Sequence, residues 1–454
     1  MDKQRVIVIG GGLAGLSAAA RLAEVGHEVT LIEATREGGG RARSYLDNRF
    51  EREIDNGQHL LMGCYRETHR FLQRIGAPRA EVLDYQRNLT LDLVRPGGSR
   101  VTFRCPALPA PLHLAAGLLR MQGLGVAAKI AVLRLGMALG DEVKRPDDNE
   151  TCDAWLRRLG QGPSIRAVFW DPMIWGVLND DPLVASAAML LAVIERAFMS
   201  TRDASRMGVP TVPLQRMYVR RALSYLRDRN ATLRLGQRVV RIQTARDRAC
   251  GVQLRGGETV VADTVISAVP HHVLPRIVPD GLRSHPVLRG IAQLDSSPIL
   301  SLWATIDRPL LGGSKFMGLI GSPLHWVFDR DAIEGTLCTA ASGGTSARLI
   351  TATISGARAF VDDRESVLQH LFTHELRRYF PNHPVNVLQF RAIKEKRATI
   401  SHAAGSYRCR PATRSPLPGL LLAGDWVQTG LPATIESAVQ SGHQAAEALL
   451  SRKA

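Results

Sequence analysis

The chain has 454 residues, 45% hydrophobic, 22% charged and 5% aromatic; that mix excludes a disordered polymer, and roughly 100–200 residues per domain implies two or three structural units. Its 58 Lys and Arg against 42 Asp and Glu leave a formal charge of +16, which points to a nucleic acid, a membrane surface or an anionic ligand. Arg outnumbers Lys 51 to 7, a skew that base composition alone can produce, and the absence of basic runs with interleaved aromatics sets nucleic acid aside.

Six cysteines at 64, 105, 152, 250, 338 and 409 include no CxxC pair, so neither a zinc ribbon nor a disulfide framework is expected. Met1 to Arg5 lead straight into a strand pattern, without an apolar segment ending in a cleavage site. A cytoplasmic, non-secreted protein is expected.

Val6 to Ile9 form a β-branched run bounded by Gly10-Gly11-Gly12 and read as a buried parallel strand. Leu13 to Glu24 have helical composition, with Gly26 at the C-cap, and His27 to Glu33 form a second strand ending in an acid. Gly10-x-Gly12-x-x-Gly15 thus follows a strand and opens a helix, with Glu33 23 residues after Gly10. Gly10 permits the tight turn, Gly12 lets backbone approach a pyrophosphate, and Gly15 lets helix and strand pack closely. The first-turn amides, at Leu13, Ala14 and Gly15, supply N–H groups and positive dipole to phosphate. Glu33 can accept from both hydroxyls of an adenosine ribose. NAD and FAD share this unit.

The next segment separates them. After Glu33, Ala34 leads through Thr35-Arg36-Glu37 to a second glycine cluster, Gly38-Gly39-Gly40, followed by Arg41 and Arg43. A second anion-binding loop suits the longer FAD, and the chain here resembles the superfamily of flavin amine oxidases and phytoene desaturases. The resemblance implies that Gly39, Gly40, Arg41 and Arg43 line the pyrophosphate and the approach to the flavin.

Asp55-Asn56-Gly57-Gln58-His59 is the sharpest local motif. Its DNGQH form resembles the hydroxysqualene dehydroxylases, the squalene-associated branch of that superfamily. Further segments agree: Leu178 to Pro182 leading into Ala185-Ser186-Ala187, Pro210-x-x-Pro213-Leu214 before a helix ending at Arg229, and Leu233 to Gly236. The likeness spans nearly the whole chain and is weakest between about 275 and 400. A third glycine, Gly38, and the acidic pair Asp180-Asp181 depart from the pattern.

Leu108 to Gly140 is the most apolar region, interrupted by Arg120, Lys129 and Arg134 and weakened by Gly123 and Gly125. Its clean run falls short of the ~20 residues a span requires. It reads as a pair of helices at the substrate entrance, dipping into the interface with basic side chains snorkelling, or else as ordinary buried helices. At 100° per residue Arg120 and Arg134 share a face and Lys129 lies opposite. Phe169, Trp170, Trp175, Trp303, Trp326 and Phe328 are candidates for core, with one or two lining a pocket.

Ala231 to Ile242, Gly251 to Leu254 and Ala262 to Pro270 form a strand-rich middle segment; by resemblance, the part around Val239 passes the adenine. Gly419 to Ala423 is a buried strand followed by Gly424-Asp425-Trp426, and a helix opens near Ala433 and runs to about Leu450. The resemblance implies that Asp425, after Gly424, holds the ribityl chain. It also implies that the helix start at Thr434 and Ile435 aims N–H groups at the isoalloxazine, where positive dipole favours the reduced, anionic flavin.

The expected architecture is α/β: a Rossmann-like FAD-binding domain with a second α+β substrate domain. The first is discontinuous (1–65, 221–279 and 415–454); the second comprises 66–220 and 280–414, with membrane-facing helices in 108–140. The resemblance implies an FAD-dependent reductive removal of the allylic hydroxyl of hydroxysqualene, giving squalene. Loss of water leaves an allylic cation, and reduced flavin delivers hydride to it. His59 with Asp55 is the candidate proton donor, Gln58 and Asn56 orient the hydroxyl, and Gln58 and Trp426 contact substrate. A structural role for His59 and a turn-capping role for Asp55 are the plainer alternatives. Polyene desaturation, amine oxidation and non-catalytic prenyl-lipid binding are the rival functions. No second nucleotide fingerprint identifies the electron donor, and no metal is expected. The basic excess left over from the cofactor suggests peripheral contact with an anionic, cytoplasmic membrane face.

Overall fold

The computed structural model describes residues 3–138, 142–335 and 347–451; Cys338 and the end of the apolar segment, residues 139 and 140, lie outside them. Five strands make a parallel sheet in the order Thr232–Leu235, Glu28–Glu33, Arg5–Ile9, Thr264–Ser267, Leu420–Leu422. Val6 pairs with Val29 on one side and Thr264 on the other, and Ile266 pairs with Leu421. These strands are apolar on both faces because both faces are covered: Val6, Val8 and Leu31 pack with the flanking helices Leu13–Glu24 and Ile435–Leu450, while Ile7, Ile9 and Val265 pack on the other side. The three stretches expected to build the discontinuous layer therefore meet in one sheet. Val239–Ala245, Arg248–Leu254 and Thr259–Val261 form an antiparallel ribbon beside it.

The same core takes in more chain than the motifs indicated. Phe71 and Leu72 of the helix Arg66–Arg74 and Ile75 just after it, with Leu214, Met217, Tyr218 and Val219, share one core with the opening and C-terminal helices, although residues 66–220 are expected in the second domain. Leu288 and Ile291 likewise pack against the other face. The cause is apolar surface: the helix Leu13–Glu24 buries ten of its twelve residues, more than one sheet face can cover.

The second unit is built on a seven-stranded sheet in the order Val387–Ile400, Ser296–Ile306, Arg348–Ser355, Trp326–Asp329, Phe316–Leu319, Thr90–Val94, Arg100–Arg104. All neighbours are antiparallel except Phe316–Leu319 with Thr90–Val94. Phe169, Trp170, Trp303, Trp326 and Phe328 are buried in its packing. Trp175 alone of the six candidates is partly exposed, stacked on His325 with ring centroids 4.7 Å apart. The apolar region forms two helices, Leu112–Arg120 and Val126–Ala138, with a break at Met121. That break ends the single helical phase on which Arg120 and Arg134 were placed together.

A candidate cofactor and substrate site

Two glycine turns are stitched together at the carboxyl end of the parallel sheet. Gly10 has φ +105°, and a Cβ there would stand 2.8 Å from the Ala268 carbonyl oxygen; a Cβ on Gly15 would stand 1.9 Å from that of Gly10. Both positions need glycine. A Cβ on Gly12 would meet nothing within 4 Å, and no side chain caps the helix that begins at Leu13, Ala14 and Gly15. The first-turn amides thus stand at an open cradle of the kind a pyrophosphate fills. The Gly39 N–H donates to the Gly11 carbonyl at 2.7 Å, and Gly39 (φ +110°) and Gly40 (φ +57°) turn the second loop alongside the first.

Glu33 shapes the first turn before it meets any ribose. One carboxylate oxygen accepts from the Gly11 N–H at 2.7 Å, and the other from the Thr35 N–H and hydroxyl, both at 2.8 Å. Ala34 beside it is exposed, whereas the Val239 side chain is buried in the antiparallel ribbon.

From the far end of the chain, Asp425 reaches Arg41, with Oδ1 2.7 Å from the guanidinium, and Arg41 also donates to the Ala398 carbonyl at 2.8 Å. Gly424 (φ +143°) makes the turn that presents Asp425, and its N–H donates to Ser441 Oγ. Trp426 points the other way. It is 1% exposed in the core beneath the sheet, and its indole N–H donates to the Val269 carbonyl at 3.0 Å. The expected substrate contact at Trp426 is corrected: successive residues leaving a strand face opposite sides, so adjacency to Asp425 sends it into the core. Thr434 caps the C-terminal helix by accepting from the Ser437 N–H at 3.2 Å, and Ile435 is its first residue. The preceding amide, Ala433, donates to His402 Nε2 at 2.7 Å.

Asp55 to His59 crosses from this cradle to the large sheet. Asn56 joins the two, its N–H donating to the Arg43 carbonyl and its amide nitrogen to the Arg41 carbonyl at 3.3 Å and to Glu395 at 3.1 Å. The Arg43 side chain itself is exposed. Asp55 is 2% exposed: Oδ1 accepts from Ser44 Oγ at 2.6 Å and the Leu214 N–H at 3.0 Å, while Oδ2 lies 3.7 Å from Arg330. It anchors the segment through these hydrogen bonds, as in the turn-capping alternative, and bears on His59 through its charge alone. Gln58 Oε1 accepts from Arg330 Nη1 at 2.8 Å, and its amide nitrogen donates one N–H to the His59 carbonyl at 3.4 Å, leaving the other N–H to donate. His59 Nδ1 lies 2.7 Å from the Gly57 carbonyl, so that nitrogen carries the proton and Nε2 a lone pair. Burial pushes the imidazole pKa down, against the pull of Asp55. At neutral pH the ring is neutral.

A family model described as flavin containing amine oxidoreductase matches residues 13–450. The chain belongs to that family. It is 27% identical to a hydroxysqualene dehydroxylase of Zymomonas mobilis and 28% identical to one of Rhodopseudomonas palustris, with 98% of both chains covered in each case. Among solved structures it is similar to an oxidoreductase from Methanosarcina mazei, with a TM-score of 0.77 at 18% identity, covering 98% of this chain and all of that one.

As a flavin amine oxidoreductase the protein is an FAD-dependent oxidoreductase, and its residues fit that cofactor. The open cradle at Gly12, the joined glycine loops and the Asp425 turn form one continuous line. Four residues that sequence reasoning missed complete the surroundings. Arg330 orients Gln58; Glu395 holds Asn56; His402 holds the Ala433 amide; and Arg410 lies buried beneath the loop that precedes the C-terminal helix. Among 51 arginines neither stands out locally: Arg330 meets Gln58 from 272 positions away, and Arg410 donates to a backbone carbonyl, which no side-chain motif marks.

Proposed function

We propose that the protein reductively removes the allylic hydroxyl of hydroxysqualene to give squalene. The observation that carries this reading is the Asp55–His59 segment, which Asn56 ties to the cofactor loop while Gln58 and His59 remain partly exposed; the similarity to hydroxysqualene dehydroxylases over 98% of the chain supports it. Reduced FAD supplies the two electrons and the hydrogen that replace the hydroxyl. Gln58, its carbonyl occupied by Arg330, turns its free amide N–H to the hydroxyl oxygen. His59 Nε2 is where the departing hydroxyl collects a proton. Its depressed pKa makes the imidazolium a strong donor, and the negative field of Asp55 sustains that form. The reaction therefore speeds up as pH falls below neutral.

The substrate's low solubility places the enzyme at a bilayer. Leu108, Leu112, Leu119, Val126 and Ile130 are exposed on or beside the two entrance helices. From Leu93 to Gly140 the chain has six Arg and Lys and no Asp or Glu. Among the described residues no helix is long and apolar enough to cross a membrane. This face meets anionic headgroups with its basic side chains while its leucines enter the interface. The electron donor that reduces the flavin is a separate partner.

Anaerobic incubation with dithionite-reduced FAD and hydroxysqualene in vesicles tests both statements, with squalene read by mass spectrometry. Squalene should form, faster at pH 6 than at pH 8 and faster from anionic than from neutral vesicles. No squalene, with phytoene desaturated under oxidised FAD instead, overturns the reaction. Equal rates on the two vesicle types overturn the membrane contact.

A further inference from the structure

The helix Glu365–Tyr379 packs on the side of the large sheet away from the Asp55–His59 segment. Its Leu368, Phe372, Leu376 and Tyr379 share one core with Leu300, Leu302 and Ala352. Alternate residues of a strand face opposite ways, and a Cβ on Gly57 would stand 3.5 Å from Ser301 Oγ, on the other face. The buried side chains fix the rotation of the helix and leave an outward stripe. Ser366, Gln369, His370, Thr373, His374 and Arg377 line one hollow of about 310 Å3 along it.

His370 and His374 are both exposed on that stripe. Residues four apart on a helix are neighbours, with Cβ atoms about 5–6 Å apart. A metal–imidazole bond is about 2 Å long, so two imidazoles at this spacing can close on one ion. Little competes for them. Among the described residues His370 has no hydrogen bond, ion pair or ring contact. His374 meets only Glu375, whose Oε1 lies 4.0 Å from Nε2. That carboxylate is held by Ser322 at 2.6 Å and by Arg378 at 3.5 Å; it lends negative charge to a cation here, against the opposing charge of Arg377 on the stripe.

The donor set narrows the ion. Calcium and magnesium take oxygen ligands, chiefly carboxylates and carbonyls, and the hollow is lined by no carboxylate. Imidazole nitrogen suits the later first-row metals, and the affinity of such a site peaks at copper. We propose that His370 and His374 together bind a late first-row divalent cation, Cu2+ ahead of Ni2+ and Zn2+, with water in the remaining positions. Among the described residues no three His, Cys, Asp or Glu gather to hold a metal, so the site is an open, exchangeable chelate and not a closed structural centre. A bound ion spans one turn in the middle of the helix and favours the folded state by mass action. The inference is independent of the flavin and of the substrate.

The test uses the full chain, free of any histidine tag. Wild type, His370→Gln, His374→Gln and the double variant are titrated with Cu2+, followed by calorimetry and by electron paramagnetic resonance. Wild type should take up one ion with two nitrogen ligands in the hyperfine pattern, and its melting temperature should rise with added metal. Each single variant should bind at least tenfold more weakly, and the double variant no more weakly than the singles, because a chelate needs both rings. Single variants that bind like wild type, or losses that add in the double variant, overturn the proposal. A transplanted pair gives a second check: Ser366→His combined with His374→Gln restores the four-residue spacing one turn earlier. Recovery of two-nitrogen binding supports the chelate, and no recovery overturns it.

Discussion

The cofactor loops and the Asp55–His59 segment lie against each other, yet they are held in opposite ways. The loops are set by backbone: positive φ at Gly10, Gly39 and Gly40, and contacts so close at Gly10 and Gly15 that no side chain fits. The segment is set by side chains from distant chain: Leu214 and Arg330 at Asp55, Glu395 at Asn56, Arg330 again at Gln58. A backbone cradle is rigid and indifferent to what lies across it. A side-chain frame transmits any change in the second unit to the substrate groups.

The largest expected effect is on the first region. Gly15→Val places a β-branched side chain where a single Cβ already stands 1.9 Å from the Gly10 carbonyl oxygen. The turn must open, at a cost of ~3 kcal/mol or more, and the anion cradle opens with it. The purified variant should be colourless and should not take up FAD, as absorbance at the flavin bands will show. Retention of flavin would mean that the loops are less dependent on close backbone packing than the comparison requires.

The second region should fail differently. Arg330→Met leaves Asp55 buried beside an apolar side chain while Glu334 keeps Arg52, and removing one partner of a buried pair costs about 3–5 kcal/mol. Chemical denaturation should show a loss of that size. Flavin should still bind at low temperature, because nothing in the glycine cradle touches Arg330, while squalene formation should collapse as Gln58 loses its orientation. Loss of flavin together with activity would show that the two regions are one unit.

That contrast also explains what could be read from the sequence. The strand–turn–helix–strand unit is legible because most of its constraints are local: positive φ at Gly10, the Gly15 contact with the Gly10 carbonyl, and an acid at the end of the next strand that accepts from Gly11; only the contact of Gly10 with Ala268 is distant. Asp425 and Thr434 were legible only through resemblance, since their partners Arg41 and Ser437 give no distance-independent sign. The seven-stranded sheet was not legible as a topology. Its pairings, such as Trp303 with Arg391 and with Thr351, depend on side chains meeting across the fold rather than on period. Trp426 was misplaced because chain adjacency was taken for shared facing. The anchoring role of Asp55 could not be separated from a proton-donor role, because the partners of its Oδ1, Ser44 and Leu214, are not in the motif.

His402 ties Leu178 to the loop before the C-terminal helix and yields the smallest of the three effects, with a sign that can be worked out. It follows the strand Val387–Ile400 of the large sheet, yet its Nε2 holds the Ala433 amide just before the C-terminal helix. The groups facing it are Arg410, which disfavours its protonation, and Asp425, which favours it; Asp180 accepts its backbone N–H at 2.6 Å. Burial dominates and holds the folded pKa at about 3, whereas the unfolded chain protonates near 6.5. Between those values the unfolded state binds the extra proton, so stability is intact above pH 6.5 and declines as pH falls, by about 1.4 kcal/mol per unit from this residue. At pH 4.5 that amounts to about 3 kcal/mol. Urea unfolding of wild type and His402→Gln at pH 6.5, 5.5 and 4.5 isolates the term, because the other buried histidines remain in both. The variant should lose stability less steeply on the acid side by about one proton's worth of slope, since Gln can accept the Ala433 N–H without titrating. Parallel slopes would mean that His402 is already free to protonate in the folded protein, and that its clamp between Leu178 and Ala433 is open.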